Sequence, residues 1–144
     1  METAFFACPA SWRGLLPEGT AAPGGPSSLS GGQWALLALT PMGAPALRRT
    51  VRCRLLLAPG DCAALKSVRA ERVVTYGLSP RDSLTLSSLS EPVLCVQRTL
   101  PRPDGTAIEP QEFPLPPLPG PADALLPLLG LRLLQMPLTE GRFP

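Results

Sequence analysis

Gly60, Lys66 and Ser67 occupy the first glycine, the lysine and the hydroxyl position of the spacing G-x-x-x-x-G-K-[ST]. In a phosphate-binding loop that spacing wraps backbone amides around a nucleotide and brings a lysine to the transferred group. Leu65 stands where the second glycine belongs, and Asp61 would add negative charge inside the cradle. Leu65 is better explained as the core residue of a short helix, with Lys66 its solvated neighbour. Cys62 falls in the first turn of the same helix, where the dipole lowers a thiol pKa, but Asp61 beside it opposes this. Ser79, Arg81, Asp82 and Ser83 follow Gly77 and form the most polar loop at the carboxyl end of a strand. Open α/β sheets place ligands there, so these four are the candidate ligand or partner contacts, against an ordinary turn in which Asp82 caps local amides. Arg48, Arg49, Arg52 and Arg54 form a basic cluster. Alternation with Val51 and Cys53 makes Arg52 and Arg54 the wet face of an edge strand, and without interleaved aromatics the cluster does not read as a nucleic-acid site. Pro114, Pro116, Pro117 and Pro119 have P-x-x-P spacing but no close arginine, and read as a rigid connector.

Composition removes other chemistries. No histidine occurs among the 144 residues, which excludes Ser-His-Asp and Cys-His sites and any imidazole-bound metal within this chain. Acid/base work would fall to carboxylates, thiols, Tyr76 or Lys66. The four cysteines contain no C-x-x-C pair, so no zinc site is expected, and Cys53 and Cys95 lie in strand-like runs where a thiol behaves as a small hydrophobe. A net charge of +2 demands no acidic partner. Glu2 stands where a signal peptide wants positive charge, the apolar stretch 4–10 is short, and Pro127, Arg132 and Pro137 interrupt the leucine-rich stretch 125–138. A cytoplasmic chain without membrane contact is expected.

These residues need elements to position them. Pro and Gly supply 33 of the 144 residues, while 44% are apolar, which predicts one folded domain over 1–144 with proline-rich connections. The segment 17–32, dense in Gly, Pro and Ser, reads as a flexible loop without regular structure. Trp34–Thr40 reads as a buried strand. The run 51–57 reads as a second strand, whose far end is buried on both faces. Pro59-Gly60 turns into a helix capped by Asp61, with Ala64, Leu65 and Val68 as its stripe, and Arg72–Tyr76 returns as a strand. That is a small Rossmann-like parallel βαβ unit. Leu84–Leu89, Val93–Leu100 and Thr106–Phe113 then read as an antiparallel meander turning at Pro103-Asp104-Gly105, with Pro110 putting its last run at a sheet edge. A largely buried helix is expected over 123–135, with Pro127 in its first turn.

Between about residues 54 and 134 this order resembles the second half of the central domain of the Mur ligase family, ATP-dependent amide ligases of peptidoglycan assembly and their folylpolyglutamate synthase relatives. The likeness is carried by Val73-Val74-Thr75-Tyr76-Gly77-Leu78, by Asp82 and the paired strands, and by Gly120 leading into a leucine- and alanine-rich helix. It implies an α/β fold in which a parallel sheet is closed, a small antiparallel sheet is added and a helix returns. It would also imply ATP and magnesium, but the family's glycine-rich loop has no counterpart here. The acidic turn is reduced to Ala58-Pro59-Gly60-Asp61, Pro121 and Ala122 replace the polar residues that open the last helix, and the metal-binding His and carbamylated Lys have no counterpart. The expectation is a non-catalytic binding or assembly module with a protein partner and no cofactor or metal. The alternative is a degenerate ligase-like subunit, completed by a partner chain, that still binds nucleotide through Gly60, Asp61, Lys66 and Ser67.

Overall fold

The computed structural model describes residues 2–23, 29, 33–43, 50–60, 68–88, 90–136 and 143–144. Its framework is a single eight-stranded sheet. Four strands of the sheet's parallel part are β1 (Glu2–Phe6), β3 (Gln33–Leu39), β4 (Val51–Pro59) and β5 (Val68–Tyr76), with β2 (Thr20–Ala21) parallel to β1 at the margin. An antiparallel part follows in β6 (Leu84–Ser88), β7 (Val93–Val96) and β10 (Gln111–Pro114), and the spatial order is β10-β7-β6-β5-β4-β3-β1-β2. A separate two-stranded ribbon pairs β8 (Leu100–Pro101) with β9 (Ala107–Ile108), and α1 (Leu126–Gln135) follows near the C-terminus.

The chain is therefore mostly β, with a solenoid-like succession of parallel strands, and the expected Rossmann-like α/β fold is incorrect. Strand accounts for 43% of the described residues against 14% for helix, and among them no helical layers cover both faces as in a doubly wound sheet. The parallel pairing of Leu55–Leu57 with Arg72–Val74 is as expected. One difference lies in where β5 begins. Val68, expected on the helix's apolar stripe, is instead the first residue of β5 and pairs with Val51 at the start of β4. Eight residues, 60–67, therefore join the end of one nine-residue strand to the start of its neighbour. Asp61–Ser67, which carried the expected helix, lie outside the described residues.

Leucine-rich strands bury both faces of the sheet. Leu36, Ala38, Leu55, Leu57, Val74 and Tyr76 form one face with the leucines of α1, and Trp34, Leu37, Leu39, Cys53, Leu56 and Ala58 form the other. Trp34 and Cys53 lie on the same face as Leu37 and Leu56, three residues further on, so strict alternation breaks between them. The ladder shows where. Trp34 pairs with Cys53 and Cys53 with Ala70, then Leu36 pairs with Leu55 and Leu55 with Arg72. Ala35, Arg54 and Glu71 fall between these rows on three adjacent strands, and the strands change phase together there.

Thr20–Ala21 is strand and Leu29 is fully buried, so 17–32 is not devoid of regular structure, while 24–28 and 30–32 lie outside the described residues. β4 is flanked by β3 and β5 and is not an edge strand. The runs 93–100 and 106–113 are each split in two, because the ribbon β8–β9 leaves the main sheet around the Pro103–Gly105 turn. Gly105 adopts φ +89° there, and Asp104 accepts hydrogen bonds from the amide and hydroxyl of Thr106. β10 does lie at the sheet edge, beside Pro110. α1 begins three residues later than expected, capped at Leu125 without a side-chain hydrogen bond, with Pro127 in its first turn and its end at Gln135 as predicted. Arg102 of the ribbon donates from Nε to the Leu134 carbonyl at 3.2 Å and also to the Met136 carbonyl, satisfying the end of the helix. Among the described residues no helix is long and apolar enough to cross a membrane.

Candidate functional site

The turn after β5 brings together the residues expected at the carboxyl end of the sheet. Asp82 is 5% exposed, and its Oδ2 accepts the Ser79 amide at 3.1 Å. Ser79 accepts the Asp82 amide through its carbonyl and the Arg81 amide through its hydroxyl. The Ser83 amide donates to Thr75 Oγ1 at 3.1 Å, and its carbonyl accepts the Gln97 amide at 2.9 Å. Gln97 Nε2 donates to the Asp82 carbonyl at 2.6 Å, and Arg98 donates to the carbonyl of Arg81. Ser79, the Asp82 carboxylate and the Ser83 backbone are thus engaged with their own loop, with Thr75 of β5 and with β7's continuation. Gly60 packs on the same carboxylate, with its amide donating to the Tyr76 carbonyl at 3.0 Å. Asp61, Lys66 and Ser67 lie outside the described residues, as do Arg48, Arg49 and Cys62. Tyr76 is buried and donates its hydroxyl to the Leu39 carbonyl at 2.6 Å, a structural tie between β5 and β3.

The opposite end of the same strands is different. Arg52 and Arg54 alternate with buried Cys53 and are exposed, as are Arg69 and Arg72 on β5. A cleft of about 630 Å³ opens here, lined among others by Gln33, Trp34, Arg52, Arg54, Arg69 and Glu71. A second hollow of about 320 Å³ continues past Arg54, Glu71 and Arg72 to the ribbon turn at Pro103 and Thr106. Arg52 and Arg69 are register partners on neighbouring strands, two like charges side by side. Such a pair destabilises a sheet. Among the described residues no side-chain hydrogen bond or ion pair engages Arg52, Arg54, Arg69 or Arg72. Four guanidinium groups are therefore free to take anions in forked, two-bond geometry. The alternation of Arg52 and Arg54 was legible in the sequence. What was missed is that β5 starts early enough to add Arg69 beside them.

Thiol chemistry is not supported at this end. Burial pushes the Cys53 thiol up to about 12, with the nearby Glu71 carboxylate adding to the rise. Burial also raises Cys8, partly offset by Arg13, and Cys95, where Glu112 adds to it. For an acid whose folded pKa is raised, the unfolded chain loses its proton first. Stability is then fully present below the ordinary thiol pKa of about 9 and declines as pH rises toward 12. Urea midpoints of wild type and Cys53→Ala, compared between pH 8 and 11, should converge as pH rises; a constant difference would mean that Cys53 is not held as the buried thiol. Among the described residues no group of three or more His, Cys, Asp or Glu side chains is arranged to hold a metal ion.

Fold and site together define, among the described residues, a mostly β chain whose sheet is packed by the α1 helix and has a cationic end. No family model, curated protein or solved structure matches the chain.

Proposed function

We propose that this chain is a non-catalytic binding module that captures an anionic partner on the arginine-bearing end of β4 and β5. The observation that carries it is the adjacency of Arg52 and Arg69, with Arg54 and Arg72 beside them, all exposed and without counter-ions among the described residues. A repulsive pair is retained at a cost in stability, which a bound anion would offset. The absence of histidine and the leucine at position 65 support binding without nucleotide chemistry. A cytoplasmic setting is part of the proposal, supported by the free thiols of Cys8, Cys53 and Cys95.

Binding of fluorescently labelled polyglutamate, followed by anisotropy, tests it. Saturable binding that weakens steeply between 50 and 300 mM salt, values chosen as roughly bracketing physiological screening, is expected. No binding at the low end would remove the proposal. The nucleotide alternative makes a separate demand, because its only lysine is Lys66. Calorimetry with magnesium and ATP should give no saturable heat, and Lys66→Ala should leave stability within about 0.5 kcal/mol. Micromolar ATP binding abolished by Lys66→Ala would restore the degenerate ligase-like reading.

A further inference from the structure

We infer that the anion received at this end is an extended acidic peptide segment with carboxylates on alternate residues, lying along β4, an inference that rests on the anion-binding proposal above. Arg52 and Arg54 are two residues apart on one strand, the second of them in the row where the strand changes phase, so their Cα atoms are at most about 6.6 Å apart. An extended peptide repeats its same-side groups at that interval. Each carboxylate of a Glu-x-Glu segment can therefore meet one cation in register, and the first also meets Arg69, the lateral partner of Arg52.

One feature separates this ligand from a single nucleic-acid strand. Strand binding of that kind relies on exposed aromatic platforms on which bases stack. Trp34, the aromatic side chain lining the cleft, is 8% exposed and donates its indole N–H to the Leu29 carbonyl at 3.3 Å. Arginine forks take carboxylate and phosphate alike with two parallel hydrogen bonds, so the absence of an exposed stacking platform is what favours the peptide. The hollow past Arg54 is lined by Pro101, Pro103 and Gly105 among others, with no aromatic side chain on which a base could stack. Glu71 lies in the same bend row as Arg54 and lines both hollows without an ion pair among the described residues. Its charge opposes the second carboxylate of the ligand, so it limits affinity and selects against denser anions.

Two labelled peptides of equal composition, one alternating Ser-Glu and one with all Glu residues in a block, are titrated against the full chain by anisotropy. An oligothymidylate of equal charge is titrated alongside. The alternating peptide should bind about tenfold tighter than the block peptide, the equivalent of one charge-assisted contact made in register. Arg54→Gln should abolish that preference, and Glu71→Gln should tighten the alternating peptide about threefold, by removing one repulsion. Equal affinity for the two peptides would overturn the inference while leaving anion binding intact. Tighter binding of the oligothymidylate would overturn it in favour of nucleic acid. Failure of both peptides and of polyglutamate would instead remove the parent proposal.

Discussion

Gly60→Ala is expected to destabilise the domain by about 3 kcal/mol, at the upper end of what overpacking costs. A methyl group at Gly60 would fall 1.7 Å from Asp82 Oδ1, far inside any real contact. Asp82 cannot simply swing away. Its other carboxylate oxygen holds the Ser79 amide, and Gly77, next after the end of β5, closes on that same oxygen so tightly that a methyl there would lie 2.4 Å from it. Either the turn opens and loses its hydrogen bonds, or β4 moves out of register with β5. Removing the obstruction should reveal the cause. In an Asp82→Ala background, whose own cost is the lost hydrogen bond of about 1–2 kcal/mol, Gly60→Ala should cost under about 1 kcal/mol, a coupling of about 2 kcal/mol between the two sites. Denaturant unfolding of the four variants measures it. Additive costs would show that Gly60 and Asp82 do not pack as described.

Arg69→Glu is expected to act in opposite directions on stability and on binding. Beside Arg52 it replaces a like-charge pair by a cross-strand ion pair, which should stabilise the sheet by about 0.5 kcal/mol. The same change removes one cation from the binding surface and neutralises a second. At about 1.4 kcal/mol for each, polyglutamate affinity should fall about 100-fold. A residue present for the fold would show loss of stability; one present for a ligand shows this trade. Loss of stability together with unchanged binding would refute the assignment of Arg69.

Much of the strand pattern was legible because leucine and valine runs bounded by proline and glycine are local signals. Those runs placed β3, β4 and the end of β5, the edge position beside Pro110 and the end of α1, while the parallel pairing of β4 with β5 was expected from a helical crossover. The Rossmann-like reading failed where two local signals competed. Asp61 and the stripe through Val68 resemble a helix start, whereas Val68 pairs across the sheet with Val51, a contact 17 positions away that no short window shows. β1 escaped notice because its apolar stretch has no polar alternation and was weighed only as a leader segment; its burial comes from β3 beside it. The bend row at Ala35, Arg54 and Glu71 was hidden because a phase change looks in sequence like a strand that merely becomes hydrophobic on both sides. At the candidate site, Ser79, Asp82 and Ser83 were recognisable as a polar cluster at a strand end. The Asp82 carboxylate caps the Ser79 amide within the turn, the local reading the sequence offered, whereas the Gln97 bond to the Asp82 carbonyl depends on β7's approach, which is tertiary.

The most direct test of where this protein binds is amide chemical-shift mapping of the isotope-labelled chain titrated with polyglutamate at low salt. Perturbations concentrated at Gln33, Arg52–Arg54 and Arg69–Arg72, saturating together and vanishing in Arg69→Glu, are the predicted result. Perturbations concentrated instead at residues 79–83 and Gly60, with the arginine strands unmoved, would contradict it and return the binding site to the Asp82 turn.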